Sequence, residues 1–207
     1  MTEATRAQLM EAGRALFAGM GLEGARVDGI AREAGVNKAL INYHFRGKTG
    51  LYERVLDDLF AAVGRDLDRA LAPLADPRRR LLAWPAALWA VLGRYPDFAP
   101  IVLRELAARS DGDRGRRLSG AAPCFPLLAE TLAGAGAAGA LARPVDPLAL
   151  QLVLLGSLVV ARSAAPLREA LAGAPGALPG DEAAVVPLLE RFMERSLLEG
   201  GAQDPER

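Results

Sequence analysis

Between Asn37 and Lys48 the chain reads NKALINYHFRGK. These residue types suit contact with a polyanion that also presents hydrogen-bonding edges. Lys38 offers a cation to a guanine edge or a phosphate, Asn42 an amide that pairs bidentately with adenine, and Leu40 an apolar surface for a thymine methyl. Tyr43, His44 and Lys48 are donors of the kind that hold a protein on a phosphate backbone without reading sequence. Lys38 and Lys48 are the only two lysines among 25 basic residues in the chain. From Arg26 to Lys48 there are five Lys/Arg and two Asp/Glu, whereas the 25 basic and 25 acidic residues of the whole chain cancel. Attraction for nucleic acid must therefore come from this local patch and not from a global field.

The flanking pattern predicts what positions these groups. Ile30, Ala31 and Ala34 fall at i, i+1 and i+4, on one helical face, and the two alanines let a second helix cross closely. Gly35 stands where a helix ends in a left-handed residue, which glycine adopts without a Cβ penalty. Asn37 is placed to cap the next helix, predicted over Lys38 to His44. Ile41 and Phe45 then face inward, leaving Lys38, Ala39, Asn42 and Tyr43 outward. Lys48 starts a further helix, whose free backbone N–H groups also favour an anion. With Arg26, Val27 and Asn37 at its edges, this is the predicted DNA-contacting set. Two short helices, a glycine turn and a small polar outer face make a helix-turn-helix, whose second helix enters the major groove. An ordinary two-helix corner with a solvated face shares part of this pattern. The joint occurrence of IAxxAGV, YHF and a trailing lysine argues against it.

Those motifs carry a resemblance. Residues 5–60 resemble the N-terminal domain of the tetracycline-repressor (TetR) family of bacterial transcriptional regulators, through LFAGMG (16–21), IAREAGV (30–36), YHF (43–45) and K-x-x-L-Y (48–52). The resemblance implies a three-helix DNA-binding domain, a helical C-terminal domain, a homodimer and a small-molecule inducer. The chain departs from the family pattern twice. Arg26 stands where the family has a capping Thr or Ser and cannot cap in that way, and Asn42 replaces a common Tyr, which alters base preference.

Beyond this segment the chain reads as helical, with no alternating strand. Thr5-Arg6-Ala7-Gln8 has capping-box spacing, Leu9, Ala12, Leu16, Phe17 and Met20 form an apolar stripe, and Gly21 ends that helix. From Leu51 to Leu71 the apolar residues 51, 52, 55, 56, 59, 60, 63, 67 and 71 keep a helical period, predicting a helix that links the DNA-binding domain to the body. Further helices are predicted over 81–92 (with Pro85 starting or kinking it), 98–109, 123–133, 147–164 (capped by Asp146) and from Asp181 to 198. Loops are predicted at 111–120, 134–141 and 165–180.

Several function classes are excluded or bounded. One His and one Cys, no HExxH or CxxC spacing and no phosphate-binding glycine loop predict no catalytic residues, metal or cofactor. The lone Cys124 suits a buried small hydrophobe in a reducing cytoplasm. The longest apolar run, Leu148 to Ala161, falls short of the ~20 residues needed to span a bilayer, so a cytoplasmic protein without membrane contact is expected. Hydrophobic content of 51% is high for a monomer. Leu148, Leu152, Leu155, Val159 and Val160 cannot all face one small core, and with Leu189 and Phe192 they predict a four-helix bundle shared with a second copy. Trp84, Trp89, Phe98, Leu103 and Phe125, with Arg104 or Glu105 as polar anchor, are candidates for a pocket taking an apolar or amphipathic inducer.

The expectation is an all-α chain: an N-terminal three-helix helix-turn-helix DNA-binding domain over residues 1–48 and a C-terminal helical ligand-binding and dimerisation domain over 49–207. Its expected role is that of a sequence-specific DNA-binding transcriptional regulator, a homodimeric repressor released by ligand from a palindromic double-stranded operator. The alternative is a helical small-molecule-binding or interaction protein with little DNA affinity.

Overall fold

Helix follows helix along the chain, and among the described residues there is no strand. The computed structural model describes residues 3–107, 124–171 and 182–198. α1 (Glu3–Gly24) buries Leu9, Ala12 and Phe17, while Leu16 is half-buried and Met20, expected in the stripe, faces outward. Gly21 interrupts it with φ 70°, the left-handed value only glycine takes freely, and a last turn runs on to Gly24. Thr5 is not the cap, because the helix is already under way at Glu3. α2 (Val27–Glu33) and α3 (Ala39–Phe45) follow, then α4 (Lys48–Leu71). All nine apolar positions predicted for α4 are buried.

By compactness the chain divides in two, and the boundary falls inside α4, between Val63 and Gly64. The first unit takes in residues up to Val63 and resumes at Tyr95 to include α7 (Phe98–Ala107). A division at residue 48, as pattern suggested, therefore does not coincide with the compact one: the first half of α4 and all of α7 group with the helix-turn-helix. The reason is packing. α7 lies on α1, Phe98 meets Phe60 edge-on with ring centroids 5.4 Å apart, and the Tyr52 hydroxyl donates to the buried Glu105 carboxyl at 2.7 Å.

The second unit holds α5 (Pro77–Leu82), α6 (Trp84–Arg94), α8 (Cys124–Ala137), α9 (Pro147–Ser163), α10 (Ala165–Leu171), a 3-10 turn over Glu182–Ala184, α11 (Val185–Met193) and a π turn over Glu194–Leu198. The helix predicted over 81–92 is two helices separated at Ala83, with Pro85 in the first turn of α6, where a missing N–H does no harm. Asp76 and Asp146 cap α5 and α9, each accepting the N–H two residues on, at 3.0 and 2.9 Å. Residues 165–171, expected as loop, form α10: PLREAL contains no glycine and is rich in helix formers. The predicted loop at 111–120, the cap at Asp181 and the remainder of the 165–180 loop lie outside the described residues. α5 packs on α8, and α9 packs on α6, α8 and α11. Arg162 of α9 fastens that arrangement, its guanidinium 3.9 Å over the Trp89 ring while donating to the Trp89 carbonyl at 2.6 Å. Among the described residues no single helix is long and apolar enough to cross a membrane.

Candidate nucleic-acid interface

The core under α3 is built from residues the pattern placed inward. Ile30, Ala31 and Ala34 of the first motif helix and Ile41 and Phe45 of the second are all buried. Gly35 takes φ 65°, as the turn requires. Arg26 precedes α2 in an extended conformation and makes no side-chain capping bond, so that helix starts without a side-chain cap. Asn37 does cap: its side-chain oxygen accepts the Ala39 N–H at 2.9 Å, so α3 begins at Ala39, one residue later than predicted. That bond uses one lone pair of the Asn37 oxygen, so its second lone pair and its NH2 group stay open.

Around this frame Arg26, Lys38, Ala39, Asn42 and Tyr43 are exposed, Tyr43 at 74%, while Val27, Leu40 and Lys48 are half-buried at its margin. Lys38 pairs with Asp28 at 3.0 Å. Both groups are well exposed, and such a pair is worth only about 0–1 kcal/mol, so a phosphate can displace Asp28. Lys48 opens α4 with its ammonium 3.5 Å from the Glu23 carbonyl. His44 differs from expectation. Its ring stands edge-on to Tyr43 at 5.0 Å and its Nε2 is sealed from solvent with no hydrogen-bond partner, so that nitrogen does not reach a phosphate.

Two features of the turn after α3 were not singled out from sequence. A Cβ on Gly50 would overlap the Phe45 carbonyl oxygen, so α4 can approach α3 only over a glycine. Arg46 closes α3 in the left-handed conformation (φ 61°, ψ 30°), its N–H reaching the Asn42 carbonyl at 3.0 Å. It is the only non-glycine residue at positive φ among those described, and this geometry costs an L-residue about 1–2 kcal/mol.

Comparison with known proteins places this interface. Residues 9–55 match the sequence profile described as "Bacterial regulatory proteins, tetR family". Over that segment the chain is similar to the TetR family. It is 30% identical over 101 residues to the HTH-type transcriptional repressor NicS of Pseudomonas putida, covering 49% of this chain and 48% of that protein. It is 39% identical over 80 residues to the HTH-type transcriptional regulator BetI of Yersinia pestis, covering 38% and 40%. The matched part thus spans about half or less of these curated relatives. In fold the likeness extends further: FadR from Bacillus subtilis in complex with stearoyl-CoA superposes with a TM-score of 0.74 at 14% identity, over 94% of this chain and 98% of that one. The fatty acid degradation regulator FadR from Bacillus halodurans gives 0.71 at 16%, over 91% and 97%.

The other predicted sites are not gathered in one place. Phe98, Leu103 and Arg104 belong to the first compact unit, Trp84, Trp89 and Phe125 to the second. Arg104 is engaged on α1, its guanidinium donating to the Ala18 carbonyl at 3.1 Å and to that of Gly19. Phe98 is core, Trp89 is half-buried under Arg162, and Leu103 and Phe125 are half-buried. Trp84 is fully buried, yet its indole N–H has no acceptor. Of the predicted interface residues, Leu148, Leu152 and Phe192 are exposed, Leu152 at 63%, and Leu155 is half-buried. Val159 at 1% and Leu189 at 7% exposure instead line the chain's own core, because the helical phase that turns Leu150, Leu154 and Leu158 inward carries Val159 with them. Val153, Val160 and Leu188 are the exposed apolar neighbours that the sequence reading left out of its interface set or, for Val160, did not separate from Val159.

Proposed function

We propose that this protein is a sequence-specific DNA-binding regulator of transcription of the TetR kind: a cytoplasmic homodimeric repressor that leaves a palindromic operator when a small-molecule ligand binds. The observation that carries this reading is α3 itself, a short helix with Ile41 and Phe45 sealed beneath it and Lys38, Ala39, Asn42 and Tyr43 presented to solvent. That face has one candidate base reader, Asn42, between candidate backbone contacts, which is the division of labour a groove-reading helix needs. Residues 1–48 would read DNA, and 49–207 would bind ligand and dimerise.

Dimerisation is supported by an unpartnered apolar face on two helices that pack side by side, Leu148, Leu152, Val153 and Val160 on α9 with Leu188 and Phe192 on α11. Facing the same pair in a second copy, it would form an isologous four-helix interface. Ligand binding is supported by two buried atoms of opposite hydrogen-bonding sense in the second unit, Trp84 Nε1 and Gln151 Oε1, neither with a partner. An acceptor would satisfy the first and a donor the second. The fold accommodates an amphipathic acyl group in the FadR of Bacillus subtilis, which was crystallised with stearoyl-CoA.

Selection of genomic DNA fragments by the purified protein near physiological salt tests the proposal. An enriched inverted repeat is expected. A folded dimer that enriches nothing would favour a helical small-molecule-binding or interaction protein without DNA affinity.

A further inference from the structure

We infer that Arg46 is a DNA-backbone contact, held toward the phosphates by the left-handed turn that ends α3; the inference rests on the DNA-binding reading above and extends it to a residue outside the predicted set. Arg46 occupies φ 61°, where glycine is the ordinary choice, and Gly47 beside it takes φ 108°. A glycine at 46 would make the same turn without the steric penalty, so the chain holds a long cationic side chain where the backbone disfavours any side chain.

The second observation concerns partners. Residues 38–48 contain three cations. Lys38 pairs with Asp28 and Lys48 lies against the Glu23 carbonyl. Arg46 is exposed and makes no side-chain hydrogen bond or ion pair with any described residue. It is four residues on from Asn42 and closes that residue's carbonyl with its own N–H, so it sits at the end of the proposed reading helix. A purely local role also has to be weighed: a cation at a helix C-terminus interacts favourably with the helix dipole. That interaction is weak and screened at an exposed site, and it does not depend on DNA. A guanidinium is, in addition, the group whose planar donors match phosphate oxygens.

The two roles separate experimentally. Arg46→Gly keeps the turn, and Arg46→Lys keeps the charge. Each is compared with wild type by thermal melting and by anisotropy titration of a labelled duplex across a potassium chloride series, once with the selected operator and once with an unrelated duplex. For Arg46→Gly we expect a melting temperature at or above that of wild type. Its log–log salt slope should be shallower by about 0.9 per lost contact, about 1.8 for a dimer, with roughly tenfold weaker binding per contact near ~0.1 M salt. The loss should be equal on both duplexes, since a phosphate contact carries no sequence information, and Arg46→Lys should restore the slope. A wild-type slope for Arg46→Gly would overturn the inference, and a lower melting temperature would overturn its premise of strain. If wild type itself shows no salt-dependent binding, the DNA-binding reading fails instead, a result distinguishable because all three proteins then behave alike.

Discussion

Under the proposed function Asn42 would read a base and Lys48 would hold the backbone. Asn42 is exposed on α3 with an amide that matches adenine, so Asn42→Ala should relax preference at one base position by about 1–3 kcal/mol while leaving non-specific binding near wild type. Lys48→Ala should weaken binding to every sequence alike and make the salt slope shallower by about 1. Quantitative selection followed by salt titration of each variant checks both, and an equal loss on all sequences for Asn42→Ala would count against base reading. Cys124 is a case where burial alone sets the chemistry. Desolvation raises its pKa from 9.0 to about 11, so the thiol stays protonated and unreactive in the folded protein. The unfolded chain ionises first as pH rises, so this group removes stability between about pH 9 and 11. Denaturation midpoints across that window should fall more steeply for wild type than for Cys124→Ala.

Helices, more than single residues, explain why the first compact unit is larger than the helix-turn-helix. α7 carries Arg104, which ties α1's closing carbonyls, and Glu105, which is 4% exposed and accepts the Tyr52 hydroxyl. Phe17 meets the Tyr52 ring edge-on at 4.8 Å, so α1, α4 and α7 share one joint. Tyr52→Phe takes a hydrogen bond from a buried carboxyl and should lower stability by about 1–3 kcal/mol. For a chain of this length that is a fall of roughly 2–4 °C in Tm per kcal/mol, readable by calorimetry. α2 offers the opposite case. Its start is uncapped because Arg26 makes no side-chain bond there, although its extended φ and ψ are those of a capping residue. Arg26→Thr should therefore stabilise by about 0.5–2 kcal/mol, with Tm rising accordingly.

For the whole protein the decisive question is whether the apolar face of α9 and α11 is covered by a second copy. A charge at its centre is hard to bury in a symmetric interface, because it meets its own image. Leu152→Glu should thus give a monomer by light scattering while circular dichroism remains helical, and operator affinity should fall steeply because two half-sites are no longer bound together. A Leu152→Glu protein that stays dimeric would place the interface elsewhere.

Periodicity and turn chemistry were enough, in sequence, to locate α4 with nine of its buried positions, the glycine turn, the Asn37 cap and the outward face of α3, because each depends on neighbours within a few residues. Arg26, the departure from the capping residue that the resemblance implies, makes no capping bond in the structure. What the pattern did not contain was phase and partnership over longer range. Val159 and Leu152 look alike as apolar residues on one helix, and only packing turned one inward and left the other exposed. Arg104 reads as a pocket anchor until α1's carbonyls are brought to it from 86 positions away. His44 reads as a phosphate ligand, yet its Nε2 is sealed from solvent. Side-chain identity is local, whereas the acceptor a donor meets and the solvent it loses are settled by helices that the chain brings together only on folding.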